Sequence, residues 1–316
     1  MNYILLLIGF ALLIKGADYF VEGASSIAKK FRIPTLIIGL TIVAFGTSAP
    51  EAAVSITSAI KGQNEIALGN IVGSNIFNLL FVVGIAAVIC PLQVKKSMII
   101  KEFPFTLLSC VVLLILVQDR IFGAGTTDVL NRGDGLMLLL FFCIFMYYLI
   151  EVAVTARETT EEEGIEAMPL GKSSLFTLGG IVAIVIGGDL VVDSASDIAL
   201  AWGMSQNLVG LTIVAVGTSL PELVTSMVAA RKGESDIALG NVIGSNLFNV
   251  FFILGVSACI HPIAVNPSII TDSFFLLIIT LVTYLFAVTK KKINKLEGGA
   301  LVATYILYMI FIIIRN

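Results

Sequence analysis

The chain of 316 residues is 58% hydrophobic and 13% charged, with one histidine and four cysteines. Soluble domains carry about 25% charged residues, so this composition excludes a soluble fold and describes a chain embedded in lipid. With 22 acidic and 19 basic residues, the net charge of −3 carries no information about acidic or nucleic-acid partners in such a chain.

Apolar runs bounded by charge and turn clusters predict ten membrane helices, near 3–28, 34–60, 64–90, 100–118, 134–154, 173–201, 206–230, 235–260, 268–289 and 297–314. Each approaches or exceeds the roughly 20 residues needed to cross a bilayer, so the expected fold is an all-α integral membrane protein. The first stretch, MNYILLLIGFALLIKGADYF, lacks the basic leader and small-residue cleavage site of a signal peptide and reads as the first retained span. It and the sixth are long and should tilt. Cys90, Cys110, Cys143 and Cys259 stand singly in or beside apolar runs, without metal or redox spacing, and are expected in packing. His261 falls in a loop beside Pro262, alone, a poor basis for metal or acid–base chemistry.

The pass along the chain also uncovers a repeat. Displaced by 171 residues, LTIVAFGTSAPE (40–51) falls on LTIVAVGTSLPE (211–222), and IALGNIVGSNIFN (66–78) falls on IALGNVIGSNLFN (237–249). Over 37–84 against 208–255, 27 of 48 positions are identical without a gap. Such self-similarity marks a duplicated unit. Five spans per half is an odd number, so the second half must enter the membrane upside down, as an inverted repeat. The halves are 1–156 and 173–316, joined by a linker at 157–172 whose acidic run Glu161–Glu163 reads as solvated. Positive charge favours the cytoplasmic side. With both termini outside, fourteen Lys and Arg fall in cytoplasmic loops and four outside, which sets the expected orientation in the cell membrane.

Within each repeat, GTSAPE (46–51) and GTSLPE (217–222) put Gly, hydroxyls, Pro and Glu inside a membrane helix. Proline removes a backbone donor and disrupts the turn before it. Freed carbonyls near Ala44, Thr47, Ala215 and Thr218, hydroxyls of Ser48 and Ser219, and the carboxylates of Glu51 and Glu222 are then expected to form one oxygen cage at the midplane. Asn70, Ser74 and Asn78 recur at four-residue spacing on the next helix, matched by Asn241, Ser245 and Asn249, with Asn75 and Asn246 after the serines. Asn70 and Asn241 serve equally well as interhelical hydrogen bonders. Gly69, Gly73, Gly240 and Gly244 read as small faces for close helix approach. An intramembrane carboxylate is a functional group by default, and no Lys or Arg lies at matching depth to neutralise either one. Oxygen ligands without Cys or His suit Ca²⁺, and Na⁺ takes the same donors.

At these motifs the sequence resembles the calcium:cation antiporter superfamily, in its sodium/calcium exchanger branch, over essentially the whole chain. The resemblance implies ten helices in two inverted five-helix repeats and exchange of Na⁺ for Ca²⁺ by alternating access. It implies Glu51 and Glu222 as shared Ca²⁺ ligands, and Thr47 and Thr218 as carbonyl donors. Ala44, Ala215, Ser48 and Ser219 would complete flanking Na⁺ sites, and Asn78, Asn249, Ser74 and Ser245 would close the cage. Some members carry Asp at the position of Asn249. The amide here argues against potassium coupling and leaves Na⁺ and H⁺ both open as the driving ion, the GTSxPE form favouring Na⁺. The first and sixth helices, carrying Asp18 and Glu22 and their mates Asp189 and Asp193, would slide against the broken-helix core. No enzyme activity, resident cofactor, nucleic acid or obligate protein partner is expected; the partners are the two ions and the bilayer. A channel is disfavoured by the inverted repeat, and an intramembrane protease by the single loop histidine.

Overall fold

A computed structural model describes residues 2–62, 64–122, 127–159, 168–203 and 215–315. The membrane helices are α1 (Asn2–Phe31), the bent pair α2 (Thr35–Thr47) and α3 (Ala49–Ile60), α4 (Ala67–Ile89), α5 (Lys96–Leu116) and α6 (Arg132–Thr159). In the second half come α7 (Leu170–Ala201), α8 (Leu220–Arg231), α9 (Ser235–Ile260), α10 (Pro267–Lys290) and α11 (Lys295–Arg315). Among the described residues eight single helices are long and apolar enough to span, and α2–α3, bent by 52°, makes a ninth if the pair is one span. For the tenth expected span, 206–230, the described part is Ala215–Gly217 and α8, since residues 204–214 lie outside the described set. Helices reach into the expected 157–172 linker from both sides, α6 through Thr159 and α7 from Leu170; the acidic run is not among the described residues.

Burial separates two kinds of helix. In α4 and α9, 78% of the most apolar window is buried, against 17–39% in the other single spans. The helices that carry GNIVGSN and GNVIGSN are therefore central, and the rest show apolar side chains such as Leu7, Leu140, Tyr147 and Leu178 to the outside. An exposed apolar belt of this size is tolerated because its surroundings are hydrocarbon. Of the cysteines, Cys110 alone is fully buried; Cys143 is exposed on this belt and Cys90 and Cys259 are half-buried, so only one fulfils the expected packing role.

Four two-residue strands reveal the symmetry. β1 (Leu92–Gln93) precedes α5 and β2 (Val129–Leu130) follows it; β3 (Ile263–Ala264) precedes α10 and β4 (Lys292–Ile293) follows it. β1 pairs antiparallel with β4, and β2 with β3. A flanking bond repeats too: Val94 N–H donates to Lys291 O at 2.8 Å, Val265 N–H to Asp128 O at 3.0 Å. β1 and β3 are equivalent under the 171-residue shift, yet they sit at opposite ends of the same membrane-crossing helix, α5. The repeats are inverted, and this follows from the strand pairing without counting spans.

The long helices α1 and α7 pack antiparallel along a seam of small residues. A Cβ on Gly16 would lie 3.0 Å from Gly180 O, and one on Gly187 would lie 2.8 Å from Gly9 O, so the backbones meet directly. These two contacts exchange under the pseudo-two-fold axis. Gly240 and Gly244 likewise admit α2, with Leu36 O 3.0 Å and Leu40 O 2.7 Å from the added Cβ; Gly69 and Gly73 make no such contact among the described residues.

The exposed side chains of Gln93 and Ala264 allow a direct check. In a background lacking the four native cysteines, Gln93→Cys and Ala264→Cys should react with a membrane-impermeant thiol reagent from opposite sides of sealed vesicles. Labelling from the same side would contradict the inverted repeat.

Candidate cation site

The helix break sits where the sequence places it, with a different local form. Pro50 and Pro221 do not kink a continuous helix; each lies in the first turn of a new one, α3 or α8, where a missing N–H costs nothing. Ser48 (φ −80°, ψ 10°) and Ser219 (φ −94°, ψ 9°) are the joints. The new helices start with Ala52 N–H on Ser48 O and Leu223 N–H on Ser219 O, both at 3.1 Å, which passes over the carbonyls of Thr47 and Thr218. The Ala44 carbonyl, expected to be free, is engaged: it accepts from Ser48 N–H at 3.0 Å and from the Thr47 hydroxyl at 3.2 Å, with Ser245 Oγ at 3.4 Å. The expectation fails there because the turn before Ser48 is still helical. Ala215 opens the described part of its helix.

The break delivers Glu51 and Glu222, both 0% exposed, into one buried cluster. Each repeat then holds the other's carboxylate. The Ser48 hydroxyl donates to Glu222 Oε1 at 2.8 Å, and the Ser219 hydroxyl donates to Glu51 Oε1 at 2.7 Å. Ser245 Oγ lies 3.3 Å from the same Glu222 oxygen, and Ser74 Oγ lies 3.1 Å from Ser219 Oγ. Neither carboxylate forms an ion pair with any described residue.

Asn78 and Asn249 enter at π-helical turns, Asn78–Val82 and Phe248–Leu254. A π turn adds a residue to the helical ring and re-aims the side chains beside it. Buried oxygens without a hydrogen-bond donor include Glu51 Oε2, Glu222 Oε2, Asn78 Oδ1 and Asn249 Oδ1. Uncompensated buried acceptors are costly, and here they come as two symmetry-related pairs. Such a donor set is hard and oxygen-only, with two carboxylates in it, and what it can hold is a hard cation.

Of the residues singled out from sequence, Glu51, Glu222, Ser48, Ser219, Ser74, Ser245, Asn78, Asn249 and Thr47 are all buried in this region, and Thr218 is 8% exposed. Asn241 is occupied structurally: it accepts the Thr47 hydroxyl at 2.9 Å and donates to Ser226 Oγ at 2.9 Å. Asn70 similarly donates to Ser55 Oγ at 3.1 Å. Sequence reasoning gave no role to Asn75 and Asn246, which bridge the two central helices; their identity in both repeats was the available signal.

Comparison with known proteins agrees with this geometry. The family described as "Sodium/calcium exchanger protein" matches residues 1–151 and 172–314. The putative antiporter CaxA of Alkalimonas amylolytica is 38% identical, with 96% of each chain covered. The sodium/calcium exchanger MaX1 of Methanosarcina acetivorans is 33% identical over 98% of this chain and 97% of its own. Among solved structures, the sodium-calcium exchanger NCX_Mj soaked with Na⁺ and Sr²⁺ superposes with a TM-score of 0.84 at 32% identity, covering 98% of this chain and 97% of that one. The chain is a multi-pass membrane transporter, a cation antiporter belonging to the sodium/calcium exchanger family.

Proposed function

We propose that this antiporter exchanges Na⁺ for Ca²⁺ at the buried cage, electrogenically and without K⁺, with both termini outside the cell membrane. The observation that carries the reading is the set of four buried, donorless oxygens on Glu51, Glu222, Asn78 and Asn249, with no cationic side chain among the described residues paired to either carboxylate. Ca²⁺ brings that charge to zero. Thr47 and Thr218 add the carbonyls that the new helices leave unused. Ser48, Ser219, Ser74 and Ser245 keep hydroxyl lone pairs beside the carboxylates, and with Ala44 and Ala215 they flank the centre as Na⁺ positions. For Ala44 this requires its carbonyl to accept an ion in place of one of the three donors around it. Both carboxylates are fully buried, so ions reach the cage only through movement of the surrounding helices. The match to exchangers that handle these ions supports the same assignment.

The carboxylates give the first check. Glu51→Gln or Glu222→Gln preserves size while removing half the cage's charge. Either should cut Ca²⁺ uptake into proteoliposomes to near background with normal insertion, and should abolish the rise in melting temperature that saturating Ca²⁺ gives the wild type, worth about 2.7 kcal/mol at a hundredfold excess over Kd. Wild-type exchange by either variant would sink the reading.

Coupling gives the second. Three Na⁺ for one Ca²⁺ moves one net charge per cycle, and 100 mV then acts with about 2.3 kcal/mol. Ca²⁺ uptake should follow an outward Na⁺ gradient, respond to an imposed potential, and be indifferent to K⁺. Ser48→Ala and Ser219→Ala should weaken its Na⁺ dependence more than its Ca²⁺ affinity. Flux driven equally well by a pH gradient in Na⁺-free buffer would instead assign a proton-coupled exchanger.

A further inference from the structure

We propose that Asn75 and Asn246 are positioning residues of the cation site, which fix the amide orientation of Asn249 and Asn78 so that each presents its oxygen and not its nitrogen. The inference rests on the cage being the cation site. Asn75 and Asn246 are 2% and 1% exposed, so neither amide has solvent to fall back on. Asn75 Nδ2 donates to the Asn246 backbone carbonyl at 3.2 Å, and Asn246 Nδ2 donates to the Asn75 carbonyl at 3.3 Å. A carbonyl only accepts, which forces nitrogen into that position on both side chains. Their oxygens therefore face the other way, where Asn249 Nδ2 donates to Asn75 Oδ1 at 3.0 Å and Asn78 Nδ2 donates to Asn246 Oδ1 at 3.1 Å. With its nitrogen committed, each outer amide leaves one oxygen over, and these are the donorless Asn78 Oδ1 and Asn249 Oδ1. The chain of constraint runs from backbone carbonyl to bridging amide to ligand oxygen. It also crosses the two-fold axis, so each half sets the ligand of the other.

Freed of its bridge, Asn249 or Asn78 is able to turn its NH₂ toward the cage, where a donor repels a cation. The test is a pair of double-mutant cycles on the full chain in detergent, read as Ca²⁺ Kd by calorimetry. Asn75→Leu should raise Kd roughly tenfold, the scale of one hydrogen bond to a charge, and should have little further effect once Asn249→Ala is present. Asn246→Leu should couple in the same way to Asn78→Ala, while the crossed combinations, 75 with 78 and 246 with 249, should add. Asn75→Ser, which is smaller and still able to accept, covers a misfolded Asn75→Leu and should give an intermediate Kd. Unchanged Kd, or equal coupling in matched and crossed pairs, overturns the inference. If Glu51→Gln also left Ca²⁺ affinity intact, the site assignment itself would fail instead.

A separate observation carries a second proposal. Lys61 and Lys232 are repeat equivalents, as are Asp18 and Asp189, yet only one combination is joined. Lys232 Nζ donates to Asp18 O at 2.8 Å and lies 3.5 Å from Asp18 Oδ1, and α1 packs along α8. Lys61 and Asp189 are both exposed and form no ion pair among the described residues, and α7 does not pack along α3. We infer that Lys232–Asp18 latches one side of the molecule shut and that Lys61–Asp189 latches the other in the alternate state, because an inverted-repeat transporter reaches its second state by exchanging the conformations of its halves. In a cysteine-free background, Lys232→Cys with Asp18→Cys, and Lys61→Cys with Asp189→Cys, should each be linked by a short bifunctional thiol reagent. Each link should arrest exchange, with recovery on reduction, and a molecule carrying the first should be unable to form the second. Failure of the second pair to react under any ion gradient, or both links in one molecule, overturns this latch.

Discussion

Each half of this transporter holds the other half's carboxylate through a serine hydroxyl, and much of the architecture serves that exchange. A carboxylate in the membrane interior needs compensation, and leaving it bare costs several kcal/mol. The chain supplies hydroxyl donors to one oxygen of Glu51 and of Glu222 and leaves the second oxygen without any. To bring both glutamates to one place, α2 must end at Ser48 and the helix before α8 must end at Ser219. To surround them, α4 and α9 must lie at the centre, where their amides and hydroxyls share the interior with buried aliphatic side chains such as Ile71, Val72, Val242 and Ile243. The outer helices then have a simpler task, to cover this polar interior with hydrocarbon-compatible surface.

The two halves match closely in sequence and less closely in structure. The Thr47 hydroxyl reaches Asn241, whereas Thr218 Oγ1 is buried without a partner. Ser48 N–H closes a turn onto Ala44, four residues back, while Ser219 N–H reaches only three, to Val216. Near-identical segments in different conformations are what a protein with two alternating states displays when one is captured. The differences lie at the breaks and where Lys232 meets Asp18, while the strand pairs and the Asn75–Asn246 bridge are the same in both halves.

Much of this was legible in the residues. Lipid immersion follows from composition, the inverted repeat from an odd span count and a 171-residue self-match, and the buried carboxylates from glutamate inside GTSxPE. What escaped the sequence was hydrogen-bond direction. The spacing in GNIVGSNIFN does not by itself say that Asn70 is spent on Ser55 while Asn78 keeps a free oxygen; the resemblance set Asn78 at the cage, and the π turn there is the local feature that Asn70 lacks. The Ala44 carbonyl escaped for a similar reason. Whether a turn before proline opens or stays helical depends on how the next helix is carried away, and the 52° bend at Ser48 decides it.

The seam between α1 and α7 has a mechanical consequence. Most helix pairs are keyed together, side chains of one seated in hollows of the other, so that displacement must first lift every key from its hollow. Where Gly9 faces Gly187 and Gly16 faces Gly180 the keys are short and close: backbone meets backbone, and Val191 and Ala183 sit directly over Gly9 and Gly16. A pair apposed this closely has no slack between its members, so a displacement of one long helix is handed directly to the other.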